Sequence, residues 1–277
     1  MMNNDYKILV FLLAVSLLLA ACSKVSHIQG ETDPDSEIAF FNASEYLKLQ
    51  QQNSTVPCFL LIDKNDWMYT GSLTVHDSIP YFAPGTNEFP LDGYDATVVC
   101  PWIQYLRLYQ GTHTVTVTDT AGHHPMITAQ VATVNAIPGT VYFADSLGAF
   151  RYWAVPDTTT VPAGSVGLRV IDLSPDAGNV FFAIGGQPAA GFPAVLNYGQ
   201  VTPFISWPDT LTGLNVGFYA VGDSSVALVN ISLSISPGHS YNIVLNGYQN
   251  SQSFPDPITG NMLTFSPDLN IALTQDN

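Results

Sequence analysis

The chain has 277 residues, and its 22 acids against 7 Lys and Arg give a formal net charge of −15. So few cations exclude a nucleic-acid partner, which needs clustered Lys and Arg, and disfavour adsorption to anionic headgroups. Only 10% of the residues are charged and 47% are hydrophobic, with 21 Gly and 19 Pro as punctuation, a mixture that suits many short strands joined by turns.

The chain opens as a targeting signal. Met1 to Lys7 is short and polar, and Ile8 to Ala20 is apolar apart from Ser16. That run is too short to cross a hydrocarbon core of about 30 Å as a helix. Leu19-Ala20-Ala21-Cys22 follows and resembles the lipobox of bacterial lipoproteins, which implies cleavage before Cys22 and acylation of its thiol. The competing readings are an ordinary secretory signal with a chance cysteine, or a buried N-terminal helix. On the lipobox reading residues 1–21 are a signal peptide, and the membrane is a partner through the lipid on Cys22. The protein is then expected in the cell envelope as an outer-membrane lipoprotein, facing the periplasm or the cell surface. Residues 22–36 form a flexible tether, because Ser23 to Glu37 is polar, contains Gly30 and Pro34, and carries Glu31, Asp33, Asp35 and Glu37.

Cysteine parity fits that address. With Cys22 lipidated, Cys58 and Cys100 remain in an oxidising compartment and are expected to form a disulfide. The alternative is a pair of buried free thiols packed as small hydrophobes.

Residues 37–277 suffice for two domains, read as residues 37–157 and 158–277. Glu45 to Gln52 is the one stretch with room for a turn or two of helix. His113 to Thr118 alternates, placing Val115 and Val117 on one face, and Ile231 to Ser236 does so with Ile231, Leu233 and Ile235. Both read as strands with one buried and one wet face. Pro156 to Gly164, rich in Pro and Thr, reads as an extended link.

These segments repeat. VATVNAIPGTVY (131–142) aligns with NISLSISPGHSY (230–241), matching Pro138-Gly139 with Pro237-Gly238 and Tyr142 with Tyr241. The Pro-Gly pairs suit type II turns, with Gly at positive φ. Ile38 to Ser44 aligns likewise with Leu168 to Ser174. The first copy holds about thirty residues more, between Asp63 and Tyr105. The duplication predicts an all-β protein of two tandem immunoglobulin-like β-sandwich domains.

The run Leu168-Arg-Val-Ile-Asp-Leu-Ser-Pro-Asp-Ala-Gly-Asn-Val-Phe-Phe-Ala-Ile-Gly-Gly186 resembles the opening of the bacterial family called domain of unknown function 4397. The resemblance covers most of residues 166 to 277 and, more weakly, residues 37 to 157, where Asn42-Ala43-Ser44-Glu45 lacks the Ser-Pro-Asp element. It implies β-sandwich domains on exported proteins and supplies no catalytic residues.

Candidate chemistry is sparse. Ser174-Pro175-Asp176 has the composition of a turn whose side chains bond local amides. His123-His124 falls at an expected hairpin tip, without the further convergent ligands a zinc site needs. Asp63-Lys64-Asn65-Asp66 lacks the spacing and terminal Glu of an EF-hand loop. Neither G-x-S-x-G, nor a P-loop, nor G-x-G-x-x-G occurs. We therefore expect no enzyme, no cofactor and no metal. The function expected is an adhesion-type or interaction protein with a protein or glycan ligand. The alternative is carbohydrate capture, or an accessory hydrolase, using the aromatic insert of the first domain. That insert holds Trp67, Tyr69, Tyr81, Phe82, Tyr94 and Trp102, of which Trp67 and Trp102 are the candidate ligand contacts.

Overall fold

The computed structural model describes residues 36–54, 58–63, 81–82, 88–89, 105–120, 122–208 and 213–276. The predicted signal peptide, Cys22, the tether up to Asp35, and Trp67, Cys100 and Trp102 of the insert lie outside them. Among the described residues the chain is all-β apart from one short helix.

The first copy builds two sheets. One orders β4 (Glu88–Phe89), β1 (Ser36–Asn42), β8 (Gly139–Ser146) and β9 (Ala149–Pro156), with β5 (Leu106–Leu108) also pairing to β1. The other orders β3 (Tyr81–Phe82), β2 (Cys58–Ile62), β6 (Gly111–Thr120) and β7 (Pro125–Thr133). Between them lie Ile38, Phe40, Leu60, Val115, Val117, Ile127, Val141 and Phe143. The helix α1 (Glu45–Gln52) starts where β1 ends, because the Ser44 side chain caps it by accepting from the Leu47 N–H at 3.2 Å. Its Tyr46 and Leu47 close the end of this core.

The second copy repeats the plan. One sheet orders β13 (Ile205–Pro208), β10 (Ser165–Asp172), β16 (Ser240–Asn246) and β19 (Asn270–Asp276). The other orders β12 (Gln187–Pro188), β11 (Val180–Ile184), β14 (Leu214–Ala220) and β15 (Val229–Leu233). Val166, Leu168, Val170, Phe182, Val216, Phe218, Ile243 and Leu245 fill the space between them.

In each copy the opening strand pairs parallel with the strand after the Pro-Gly element, β1 with β8 and β10 with β16. Parallel pairs are usually buried on both faces, and here each is. One face of β1–β8 meets its own core, while Phe41, Ala43, Tyr142 and Ala144 on the other face meet Ile171, Leu173 and Val244 of β10–β16. The two sandwiches are thus stacked back to back, with the β11–β14 sheet outermost at one end.

The register shows that the joined faces are equivalent. Ile38 pairs with Gly139, and its counterpart Leu168 pairs with Tyr241. Phe41 therefore corresponds to Ile171, Ala43 to Leu173, and Tyr142 to Val244. The sequence alignment of Tyr142 with Tyr241 is corrected by this pairing. Three more residues separate Pro237-Gly238 from the strand phase of the first copy, and an odd offset reverses the faces. Tyr142 consequently points into the seam, and Tyr241 into its own core.

Other expectations are corrected as well. Gly238 has a φ of 85°, as a type II turn requires, but Gly139 is not at positive φ. There, Ala136 takes the left-handed conformation at 56°, and a methyl on Gly139 would come within 3.1 Å of the Val155 carbonyl oxygen. The threonine face of β6 is not wet, since Thr116 and Thr118 are buried; in β15 Ser232 is exposed and Leu233 buried as expected, but Ile231 is exposed as well and Ile235 lies beyond the strand's end. The link after Pro156 is pinned at Asp157, whose carboxylate meets the Arg169 guanidinium at 2.8 Å and accepts from Thr140 at 2.6 Å.

The seam is closed by the second copy reaching back. The hairpin β17 (Gln252–Pro255) and β18 (Met262–Phe265) sends Phe254 and Phe265, with Tyr248 ahead of them, into the core of the first sandwich. Tyr46 donates to Asp256 of that hairpin at 2.9 Å, and Tyr248 donates to Asp145 at 3.2 Å. On the far side Gly199, at φ 81°, lets the backbone approach Trp153, since a methyl there would sit 2.7 Å from the indole.

Candidate functional site: the open face of the second sandwich

The acids and histidines noted in the sequence are engaged with the fold. Ser174 donates to the Gly247 carbonyl at 2.7 Å, and Asp176 accepts from the backbone of Gln249 at 2.6 Å and of Asn250 at 2.9 Å. The Ser-Pro-Asp turn therefore staples the loop leaving β16, rather than bonding the local amides that its composition suggests. His124 is held by Asp119 at 2.8 Å in the β6–β7 hairpin, with His123 beside it. Both nitrogens of His113 face acceptors, Asp63 at 2.7 Å and the Tyr109 carbonyl at 2.8 Å. Asp63 thus braces β6; Lys64, Asn65 and Asp66 lie outside the described residues. No group of three or more His, Cys, Asp or Glu residues among those described could hold a metal ion. Cys58 is a buried free thiol, pushed up to about 12 by burial and then by the Asp119 charge; Cys100, the partner that parity gives it, is outside the described residues.

Two buried carboxyls carry a pH dependence. Asp172 occupies the position of Asn42 in the first copy, and each accepts from the backbone N–H of a following serine, at 3.0 and 2.9 Å. Burial pushes Asp172 up to about 7, with the Ser174 N–H opposing. Burial pushes Glu45 up to about 8, assisted by Asp268 and opposed by Lys48, which lies 2.6 Å away. Between the ordinary carboxylate range and these values the folded chain holds more protons than the unfolded chain, so stability falls as pH rises. We expect the melting temperature to drop between pH 5 and pH 8. Asp172→Asn should flatten that slope while keeping the bond to Ser174, as Asn42 does. Parallel thermal melts of both proteins across this range check it, and equal slopes would refute the assignment.

What remains open is the outer face of β11–β14–β15. Alternation along these strands sends Val180 and Phe182, Leu214, Val216 and Phe218, and Leu233 inward. It sends Phe181, Ala183, Asn215, Gly217, Tyr219, Asn230 and Ser232 outward, of which Ala183 and Gly217 are nonetheless buried. The register sets Phe181 opposite Tyr219, Ala183 opposite Gly217, Gly217 opposite Asn230, and Asn215 opposite Ser232. The Phe181 and Tyr219 rings are stacked, with centroids 5.4 Å apart and planes 16° apart, and both are partly exposed. Tyr219 leans across the strand: a methyl on Gly217 would approach its Cε2 to 3.3 Å, and one on Gly186 its hydroxyl to 3.7 Å. A glycine inside a strand often marks such a close approach. Asn215, Asn230 and Ser232 are exposed around the ring pair. The result is an uncharged patch of rings and amides, able to contact a ligand through aromatic surface and hydrogen bonds.

A cleft of about 280 Å³ at the end of the first sandwich is lined by Val131, Val134, Ile137, Val141, Val155 and Glu37. It is mostly apolar and lies beside the start of β1.

The sequence reading places the candidate ligand contacts at Trp67 and Trp102, which lie outside the described residues, and does not single out Phe181 and Tyr219. The signal was present as Val-Phe-Phe-Ala-Ile and Leu-Asn-Val-Gly-Phe-Tyr, where adjacent aromatics must point to opposite faces of a strand.

Residues 102–183 match the family described as "Domain of unknown function (DUF4397)". The match runs from the first sandwich through β10 into β11 and includes the Ser-Pro-Asp staple. No curated protein matches the sequence. Among solved structures, a family 26 carbohydrate-binding module from Eubacterium rectale Amy13K in complex with maltoheptaose is similar at 11% identity and a TM-score of 0.23, covering 84% of this chain and 97% of that one. A family 41 carbohydrate-binding module from streptococcal virulence factors, described as recognising alpha-glucan, is similar at 9% identity and a TM-score of 0.23, covering 76% of this chain and 92% of that one. Likenesses of this size are too loose to transfer a ligand.

Proposed function

We propose that this chain, which carries domain of unknown function 4397 across residues 102–183, is a lipid-anchored binding module of the bacterial cell envelope. In this reading it holds a ligand on the outer face of β11–β14–β15 and does not transform it. The observation that carries it is the partly exposed Phe181–Tyr219 pair on an uncharged sheet face. A rigid face needs little reordering when it binds, which favours affinity. The Leu-Ala-Ala-Cys22 element supports an acyl anchor, and the polar residues after it supply a tether between membrane and body.

The two halves of the proposal are tested separately. Cells given labelled palmitate should transfer label to the wild-type protein and sediment it with membranes, whereas Cys22→Ser should do neither. An unlabelled wild-type protein in the soluble fraction would refute the anchor. For the binding half, the detergent-purified chain should bind isolated host envelopes saturably, and Tyr219→Ala should weaken that binding by about tenfold or more. Binding indifferent to Tyr219 would remove the face from the account.

A further inference from the structure

Resting on that reading, we infer that the ligand of the β11–β14–β15 face is a neutral saccharide chain, seated with a sugar ring on Phe181 and Tyr219 and its hydroxyls on Asn215, Asn230 and Ser232. Charge speaks first. The chain carries a net −15, which repels polyanions at range. Yet none of Phe181, Ala183, Asn215, Gly217, Tyr219, Asn230 or Ser232 is charged, so a cationic partner finds no carboxylate among them. The patch is thus matched to a ligand that is itself uncharged.

Chemistry then separates sugars from other neutral ligands. A pyranose presents an apolar face of C–H groups and a rim of hydroxyls that both donate and accept. The ring pair offers flat apolar surface, and each asparagine amide offers two donors and one acceptor oxygen. A purely apolar ligand would leave those amides unused and partly desolvated, at a cost.

Geometry supplies the extent. Neighbouring strands lie about 4.8 Å apart, and alternate residues along a strand about 6.7 Å apart. Asn215 therefore stands roughly 13 Å along β14 from Tyr219, room for more than one sugar unit across the patch. Tyr219 is already laid over Gly217 and stacked with Phe181, so the platform exists before the ligand arrives.

The test presents the full chain, purified in detergent, to an array of neutral oligosaccharides of the cello-, malto-, laminari-, xylo-, manno- and chito- series, with calorimetry on any that bind. We expect at least one series to bind. Phe181→Ala and Tyr219→Ala should each weaken it by about tenfold or more, equivalent to about 1.4 kcal/mol. Asn230→Arg, on an exposed edge strand, should also weaken it at unchanged melting temperature, which keeps the test valid if an aromatic variant unfolds. Trp67→Ala and Trp102→Ala should leave it intact. Sugar binding lost with Trp67 or Trp102 and kept with Tyr219→Ala would overturn the inference. Silence on the array would overturn it too: where envelope binding still depends on Tyr219, the face stands and the ligand is of another class, such as protein. Where it does not, the reading of the face falls as well.

Discussion

Arg169→Met should destabilise the fold by about 3–5 kcal/mol, the usual effect of stripping one partner from a buried ion pair. Arg169 leaves β10 on the seam side, and its guanidinium bonds the Asp157 carboxylate at 2.8 Å and the Pro156 carbonyl at 2.5 Å. It also lies 3.8 Å over the Phe204 ring, a contact in which a desolvated cation gains further attraction. Asp157 keeps the Thr140 hydroxyl at 2.6 Å and that of Tyr105 at 3.4 Å, but two hydroxyls do not balance a buried charge. Burial already raises the Asp157 pKa, with Thr140 and then Arg169 opposing it. In the variant the carboxyl should therefore take up a proton more readily, and the stability deficit should shrink as pH is lowered. Asp157→Asn combined with Arg169→Met should be less damaging than Arg169→Met alone, because no unpaired charge remains. Denaturant midpoints of the two variants against wild type decide this. A single variant within about 1 kcal/mol of wild type would show that Asp157 does not depend on its partner.

Tyr248→Ala should be comparably severe, about 3–5 kcal/mol, as for other large aromatics cut back to alanine in a core. Its position makes the effect distinctive. Tyr248 follows β16 of the second copy, yet its ring is buried in the core of the first, 5.8 Å from Phe265. Its hydroxyl accepts from Leu147 N–H at 2.7 Å and donates to Asp145 at 3.2 Å. Asp145 in turn accepts from Ser44 at 2.6 Å and from the Tyr46 N–H at 3.2 Å. Removing the ring opens a cavity on one side of the seam and leaves the Asp145 cluster short of a donor. Wild type should unfold in one calorimetric transition. Tyr248→Ala should resolve two, with the first sandwich melting earlier, while Tyr248→Phe keeps the packing and should cost only about 1–3 kcal/mol. A single transition in Tyr248→Ala would mean that the two sandwiches are coupled through other contacts.

Much of the fold was readable before any coordinates, and the failures share a cause. The helix at Glu45–Gln52, the inward Val115 and Val117 of His113–Thr118 and the turn at Ser174-Pro175-Asp176 are local patterns and appear as read; the wet threonine face does not, Ile231 is exposed rather than buried, and β15 ends at Leu233. The seam was not readable in this way. A strand buried on both faces, such as Ile38 to Phe41, shows a continuous apolar run that fixes no direction. Which side of Tyr142 meets a neighbour depends on strand phase, and the shared Pro-Gly obscured it. Asp157 lies in the linker and Arg169 in the strand beyond it, and nothing local announces that they pair. The candidate face was missed for a different reason. The insert's tryptophans stand out by composition, whereas Phe181 and Tyr219 each adjoin a core aromatic, Phe182 and Phe218, and sequence alone does not separate the two faces.

Hydrogen exchange on the full detergent-purified chain, with and without the oligosaccharide that binds it most tightly, tests most directly where this protein holds its ligand. Slower exchange concentrated in β11, β14 and β15 is the result this account predicts. Protection confined to residues 64–104, or to the cleft beside Val134 and Ile137, with β11, β14 and β15 unchanged, would contradict it.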